Sequence, residues 1–180
     1  RSQLLEQQLA RRSKAAAARA GELARLVRDA ISQTQLLARG LSPVTLESEG
    51  LMSALEELAA NTEKMFGVAC RAKGSTPAPA PALETATHVF RIAQEAVSNA
   101  IKHGHARSIL IQLDHLERRA TLSVSDDGPG FPPASRDPEG MGRRIMLYRA
   151  GVIGGTLAFE NLPQRGARVL CAFPTEPPCP

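Results

Sequence analysis

The segment ATLSVSDDGPGF (120–131) constrains the fold more than any other stretch of the chain. Leu122 and Val124 alternate with Thr121, Ser123 and Ser125, the period of a strand with one covered face. Asp126 keeps the parity of Leu122 and Val124, so the pattern aims a carboxylate at the covered side of a sheet, at the very end of its strand. A group in that position needs a partner. Gly128 and Gly130 follow, residues that permit positive φ and let a ligand approach the backbone closely. The same pattern also describes an aspartate that caps the next turn, and at this level both readings stand.

The strand is preceded by a helical pattern over residues 83–103 whose last part reads QEAVSNAIKHG (94–104). At about 100° per residue, Glu95, Asn99 and Lys102 fall within one narrow wedge, and His88 and Arg91 extend the stripe backwards. Phe90, Ala93, Val97 and Ala100 occupy the opposite side, with Ile101 at its edge. One face therefore packs and the other presents an acid, an amide and a base in a row. This polar row is either a solvated face or one wall of a binding site.

Around these two segments the periodicity predicts a helix over 51–66 with Leu51, Ala54, Leu55, Leu58, Thr62, Met65 and Phe66 on its apolar side. It also predicts strands over 67–73, 108–116, 155–161 and 167–174, and a helix over 143–153. A Pro/Ala loop spans 74–82, and LPQRG (162–166) reads as a hairpin between the last two strands. Between the Asp126 strand and the last helix lies a polar, proline-studded loop (132–139) ending in GMG (140–142). A glycine-rich entry to a helix N-terminus suits a phosphate group, and equally a flexible loop with a glycine N-cap. The order of elements predicts an α+β fold, a two-layer α/β sandwich over about 50–174.

Residues 1–41 lack proline, and Leu23, Val27, Ala30, Thr34, Leu37 and Leu41 form a heptad seam. A helix of a bundle or dimer fits that seam, as does a single amphipathic helix lying on its own domain. GLSPV (40–44) breaks the pattern. The expected organisation is a helical segment at 1–45, a domain with its own core at 46–176 and a frayed proline-rich tail at 177–180. The chain starts at Arg1 inside a polar helical pattern and is expected to be part of a longer protein.

Net charge is +4, but eight of the bases and only three of the acids lie in residues 1–40, which leaves the remainder nearly neutral. A basic excess confined to one helical segment without interleaved aromatics argues against nucleic-acid binding. Aromatic residues make up 3% of the chain and Trp is absent, so the core must be built from Leu, Ile, Val and Ala. Cys70, Cys171 and Cys179 are odd in number and lack metal spacing, as expected of reduced thiols in a cytoplasmic protein. No apolar run is long enough to span a bilayer, and no membrane contact is expected from these residues.

Taken in order, a helix bearing Glu-x-x-x-Asn, a strand ending in Asp-x-Gly-x-Gly, a loop, and Gly-x-Gly opening a helix resemble the ATP-binding domain of sensor histidine kinases and of the Hsp90-type (Bergerat) ATPase superfamily. RIAQEAVSNAIKHG (91–104) resembles the N box, VSDDGPGF (124–131) the G1 box and GMGRRIMLYRAGVIGG (140–155) the G2 region. The wording is most similar to the branch partnered with NarL-type response regulators, the nitrate-sensor and DesK-like kinases. LLARGLSPVTLESEGLMSALEEL (36–58) resembles the end of the dimerisation helix and its link to the catalytic domain, and the resemblance covers about 23–174.

The resemblance implies a protein histidine kinase that uses ATP and Mg²⁺. Asn99 would ligate the metal, and Glu95 would be the catalytic residue that orients or deprotonates the attacking group, or holds a metal-bound water. Lys102 and His103 would meet the phosphates, Asp126 would accept a hydrogen bond from the adenine amino group, and Gly128 and Gly130 would make room for the base. Gly140 and Gly142 would hinge the lid and offer N–H groups to phosphate. Two positions depart from the family's pattern. Arg143 stands where Leu is usual, and would either contact phosphate or weaken lid closure. Ala167 replaces a Thr near the base.

No histidine precedes His88. The family's acceptor histidine would therefore lie before Arg1, and these 180 residues are expected not to phosphorylate themselves. The implied partners are a second copy through the N-terminal helical segment and a NarL-type response regulator. The parent chain would be either soluble or membrane-anchored. Two other readings remain: a degenerate module that signals without catalysis, and a serine-directing anti-sigma-factor kinase, which the dimerisation-like segment disfavours.

Overall fold

The computed structural model describes residue 46 and residues 49–75, 80–131 and 141–175. The expected helical segment at 1–45, Gly140 and the tail from 177 onwards lie outside the described residues.

Helix α1 (Gly50–Phe66) ends where Gly67 adopts a left-handed φ of 66° and donates its N–H to the Glu63 carbonyl. It buries Leu51, Ala54, Leu55, Ala59 and Thr62, the last satisfying its hydroxyl on the Leu58 carbonyl at 2.8 Å. The expected apolar side continued to Met65 and Phe66, but these are 40% and 44% exposed, because the packed stripe stops at Thr62. Strand β1 (Ala69–Gly74) starts two residues later than the pattern predicts, since Gly67 is occupied in closing α1.

Helix α2 (Leu83–Lys102) crosses over from β1 to β2 (Ser108–Leu116), so these two strands run parallel, the geometry a helical crossover permits. Strand β3 (Arg119–Asp126) returns antiparallel after a tight hairpin in which Leu116 pairs with Arg119. Helix α3 (Met141–Val152) leads to β4 (Thr156–Asn161) and β5 (Ala167–Pro174), which pair antiparallel. The sheet order is β1-β2-β3-β5-β4, so the last strand inserts beside β3 and pushes β4 to the edge.

Residues opposite one another in a sheet share a face. Ile111 pairs with Val124 and Val124 with Val169, while Leu113 pairs with Leu122 and Leu122 with Cys171. These side chains, all buried, form the floor on which the three helices lie. The opposite face carries Gln112, Thr121, Ser123 and Arg168, with Arg168 3.9 Å from Glu160 and 3.3 Å from the Ser125 hydroxyl. The result is the expected two-layer sandwich.

Helix α2 lies between α1 and α3 and buries more of its surface than its sequence stripe announced. Ile92 and Ala96, outside the predicted apolar side, are buried together with Val89, Phe90, Ala93, Val97 and Ala100. Each large aliphatic side chain so enclosed contributes about 1.5–3 kcal/mol relative to exposure. The stripe of Glu95, Asn99 and Lys102 is half-buried as a consequence, not a free solvated face.

Candidate functional site

A cavity of about 450 Å³ lies between the C-terminal half of α2, the strand ends of β3 and β5, and the first turn of α3. Ala96, Ala100, Val124, Met146 and Val169 form its apolar part, and Glu95, Asn99, Lys102, His103 and Asp126 its polar part. The residues singled out at the α2 stripe and at the β3 end, far apart in sequence, thus meet in one place. His88 and Arg91 share the stripe but do not line the cavity; an Arg91 guanidinium nitrogen donates to Gln94 Oε1 at 3.0 Å.

Asp126 pairs across the sheet with Ile109, a buried core residue, which puts its carboxylate on the helix-covered face as the alternation predicted. Its Oδ1 accepts the Gly128 N–H at 2.8 Å, so the capping role is real. The same residue also lines the cavity, so the two readings of Asp126 are not exclusive.

Gly128 itself is buried beneath the site rather than lining it. A Cβ there would run into the Gly104 carbonyl, so only glycine lets this turn dock against the end of α2. Gly130, with φ of 86°, does line the cavity.

Neighbouring residues hold the turn from outside. Asp127 Oδ1 accepts the N–H groups of Arg107 at 2.8 Å and Ser108 at 3.0 Å. Asn161 accepts the Phe131 N–H at 2.6 Å and donates to the Phe131 carbonyl at 3.2 Å. Arg165 Nε donates to the Gly128 carbonyl at 3.3 Å. The roles of Asp127, Asn161 and Arg165 were not legible in the sequence, apart from the doubled Asp before Gly128.

Helix α3 begins at Met141, two residues before the predicted start, so the last two residues of GMG belong to its first turn. Gly142 rests directly on α2: a Cβ would run into Glu95 Oε1 and lie 3.5 Å from Asn99 Nδ2. Arg143 lines the cavity, but its guanidinium lies over two rings, 4.6 Å from the Phe131 centroid and 4.4 Å from that of Phe159. The rings meet edge to face at 5.7 Å. Ala167 is buried and lines the same wall.

Among the described residues no group of three or more His, Cys, Asp or Glu could hold a metal ion by itself. The oxygens of Glu95 and Asn99 fit a hard cation that keeps waters and takes further ligands from phosphate, as Mg²⁺ does. No described helix is long and apolar enough to cross a membrane.

A mixed sheet covered on one face by helices, with an acid and an amide on the central helix facing a strand-end carboxylate, defines a class of nucleotide-binding domain. A family profile described as histidine kinase-, DNA gyrase B-, and HSP90-like ATPase matches residues 84–177, and the chain belongs to that family. It is homologous to the ATP-binding catalytic domains of sensor histidine kinases.

Sensor protein VraS of Staphylococcus epidermidis is 26% identical over 147 residues, which is 82% of this chain and 42% of VraS. VraS of Staphylococcus aureus is similar to the same degree. The chain thus spans about two fifths of the length of these curated relatives. The ATP-binding domain of PrrB from Mycobacterium tuberculosis superposes with a TM-score of 0.55 at 21% identity, over 69% of this chain and 93% of that one. The histidine kinase domain of the blue-light activated kinase of Erythrobacter litoralis gives 0.54 at 23% identity, over 69% and 61%. These two likenesses establish the fold.

Proposed function

We propose that residues 46–176 bind MgATP and transfer its γ-phosphoryl group to a histidine on a dimerisation domain, from which it passes to a response regulator. The observation that carries this reading is the meeting of Glu95, Asn99 and Asp126 around one cavity. Phosphoryl transfer asks a protein mainly for positioning and charge neutralisation, and the site offers groups for both.

Asp126 would read the base: with Oδ1 engaged by Gly128, its second oxygen would accept the adenine amino group. Asn99 would supply an oxygen to Mg²⁺, whose chemistry is to neutralise phosphate charge. Lys102 and His103 lie beside Asn99 at the polar end and would meet the phosphates. Glu95, one helical turn before Asn99, would orient the attacking imidazole nitrogen or take its proton, as that nitrogen bonds to phosphorus and ADP leaves. The wording of the N box and of residues 36–58 supports a NarL-type regulator and a dimer formed through the N-terminal helical segment. The absence of histidine before His88 supports an acceptor outside these 180 residues.

Calorimetry with ATP, with and without Mg²⁺, tests the reading. Asp126→Asn should weaken binding by about 1–3 kcal/mol, the range for a hydrogen bond involving a charged group. Unchanged affinity in that variant would remove the assigned role. Asn99→Ala should abolish the Mg²⁺ dependence.

A further inference from the structure

Arg143, in the first turn of α3, lines the cavity. Its guanidinium lies over Phe159 and Phe131, 4.4 and 4.6 Å from their centroids. With Ala167 and Val169 these rings make the apolar wall of the cavity that Asp126 also lines. For a planar base paired with Asp126, that wall offers a stacking surface. A guanidinium is also planar, and being cationic and weakly hydrated it stacks well on aromatic faces. Side chain and base therefore want the same surface.

We propose that Arg143 is an internal competitor of the nucleotide base: it covers the Phe131–Phe159 surface and is displaced by the purine. This rests on the nucleotide reading above. The competition has a second consequence, because the neighbouring Gly142 is seated on Glu95 and against Asn99. Displacing Arg143 loosens the first turn of α3 where it covers the two residues that face the phosphates. Base recognition at one end of the cavity is thereby coupled to access at the other, and Arg143 sets the affinity.

Calorimetry with two probes, ATP and adenosine, separates base competition from phosphate contact. With Arg143→Leu and Arg143→Gln, both probes should bind about five- to thirtyfold tighter, the factor expected for removing a cation from two rings. In the unaltered protein the Arg143 Nε–H resonance, shifted by the rings, should move toward its ordinary position on adding adenosine. If ATP binds more weakly in both variants while adenosine is unaffected, Arg143 is a phosphate ligand and the competitor role is overturned. If Asp126→Asn weakens ATP as expected but neither Arg143 variant tightens adenosine, only the competitor role falls. If neither probe binds the unaltered protein or the variants, that role and the nucleotide reading fall together.

Discussion

Asp127 and Ser108 bond to each other twice: the Asp127 carboxylate accepts the Ser108 N–H at 3.0 Å, and the Asp127 N–H donates to the Ser108 carbonyl at 3.3 Å. Asp126 points inward to the cavity and Asp127 outward to the start of β2, so the doubled acid divides two tasks. One faces the site, and the other clamps the turn that presents it.

Asp127→Ala should therefore destabilise the domain by about 1 kcal/mol at neutral pH, the usual scale for a surface-exposed hydrogen-bonded group. The Ser108 N–H, helped by the Arg107 N–H and the Arg165 charge, holds the Asp127 carboxyl below the usual carboxylate range. A lowered folded pKa means that the contribution is fully present above the unfolded value, about 3.9, and is lost as pH falls through the folded one. Urea unfolding should show a gap between variant and parent at pH 7 that closes in acid. A gap that persists at pH 2 would show that the clamp does not depend on charge.

Asn161→Ala should leave both the N–H and the carbonyl of Phe131 without their side-chain partner. The expected cost is about 1–3 kcal/mol of stability, with weaker ATP binding because one stacking ring is released. A thermal melt paired with calorimetry checks this, and unchanged ATP affinity would detach Phe131 from the base site.

Gly142→Ala puts a methyl group into the Glu95 carboxylate. Helix α3 or Glu95 must shift, and in a version lengthened at the N-terminus to carry the proposed acceptor histidine, histidine phosphorylation should fall while the melting temperature changes little. Full activity in this variant would mean that the α3–Glu95 contact is already absent in the working state.

Glu95→Gln in that extended protein should lose acid-labile, alkali-stable labelling from γ-labelled ATP far more than it loses ATP binding. A group acting on the attacking nitrogen matters mainly in the transition state. Labelling that survives undiminished would remove Glu95 from the chemistry.

Cys70 and Cys171 are buried free thiols, pushed up by burial to about 11 and about 12. Only the thiolate attacks alkylating reagents, so both should resist iodoacetamide at pH 8 in the folded domain and react on unfolding. Mass mapping of modified peptides checks this; rapid modification of Cys171 would show that the β3–β5–β4 part of the sheet opens readily.

By itself the sequence determined the kind and order of the elements, the inward parity of Asp126 and the common face of Glu95, Asn99 and Lys102. These follow from periods of two and of 3.6 residues, which are local properties of the chain. Only the tertiary structure decided which wall the cavity would have. Inserting β5 between β3 and β4 sets Ala167 and Val169 beside the end of β3 and brings Phe159 across from Phe131, a contact between segments that no local pattern links. The same holds for Asn161, which holds Phe131 from 30 residues away. Arg143 shows the limit most plainly. Its position beside Gly142 was legible, but whether a cation there turns to phosphate or to an aromatic face depends on which surface lies within its reach, and the packing of α3 against β4 placed Phe159 there.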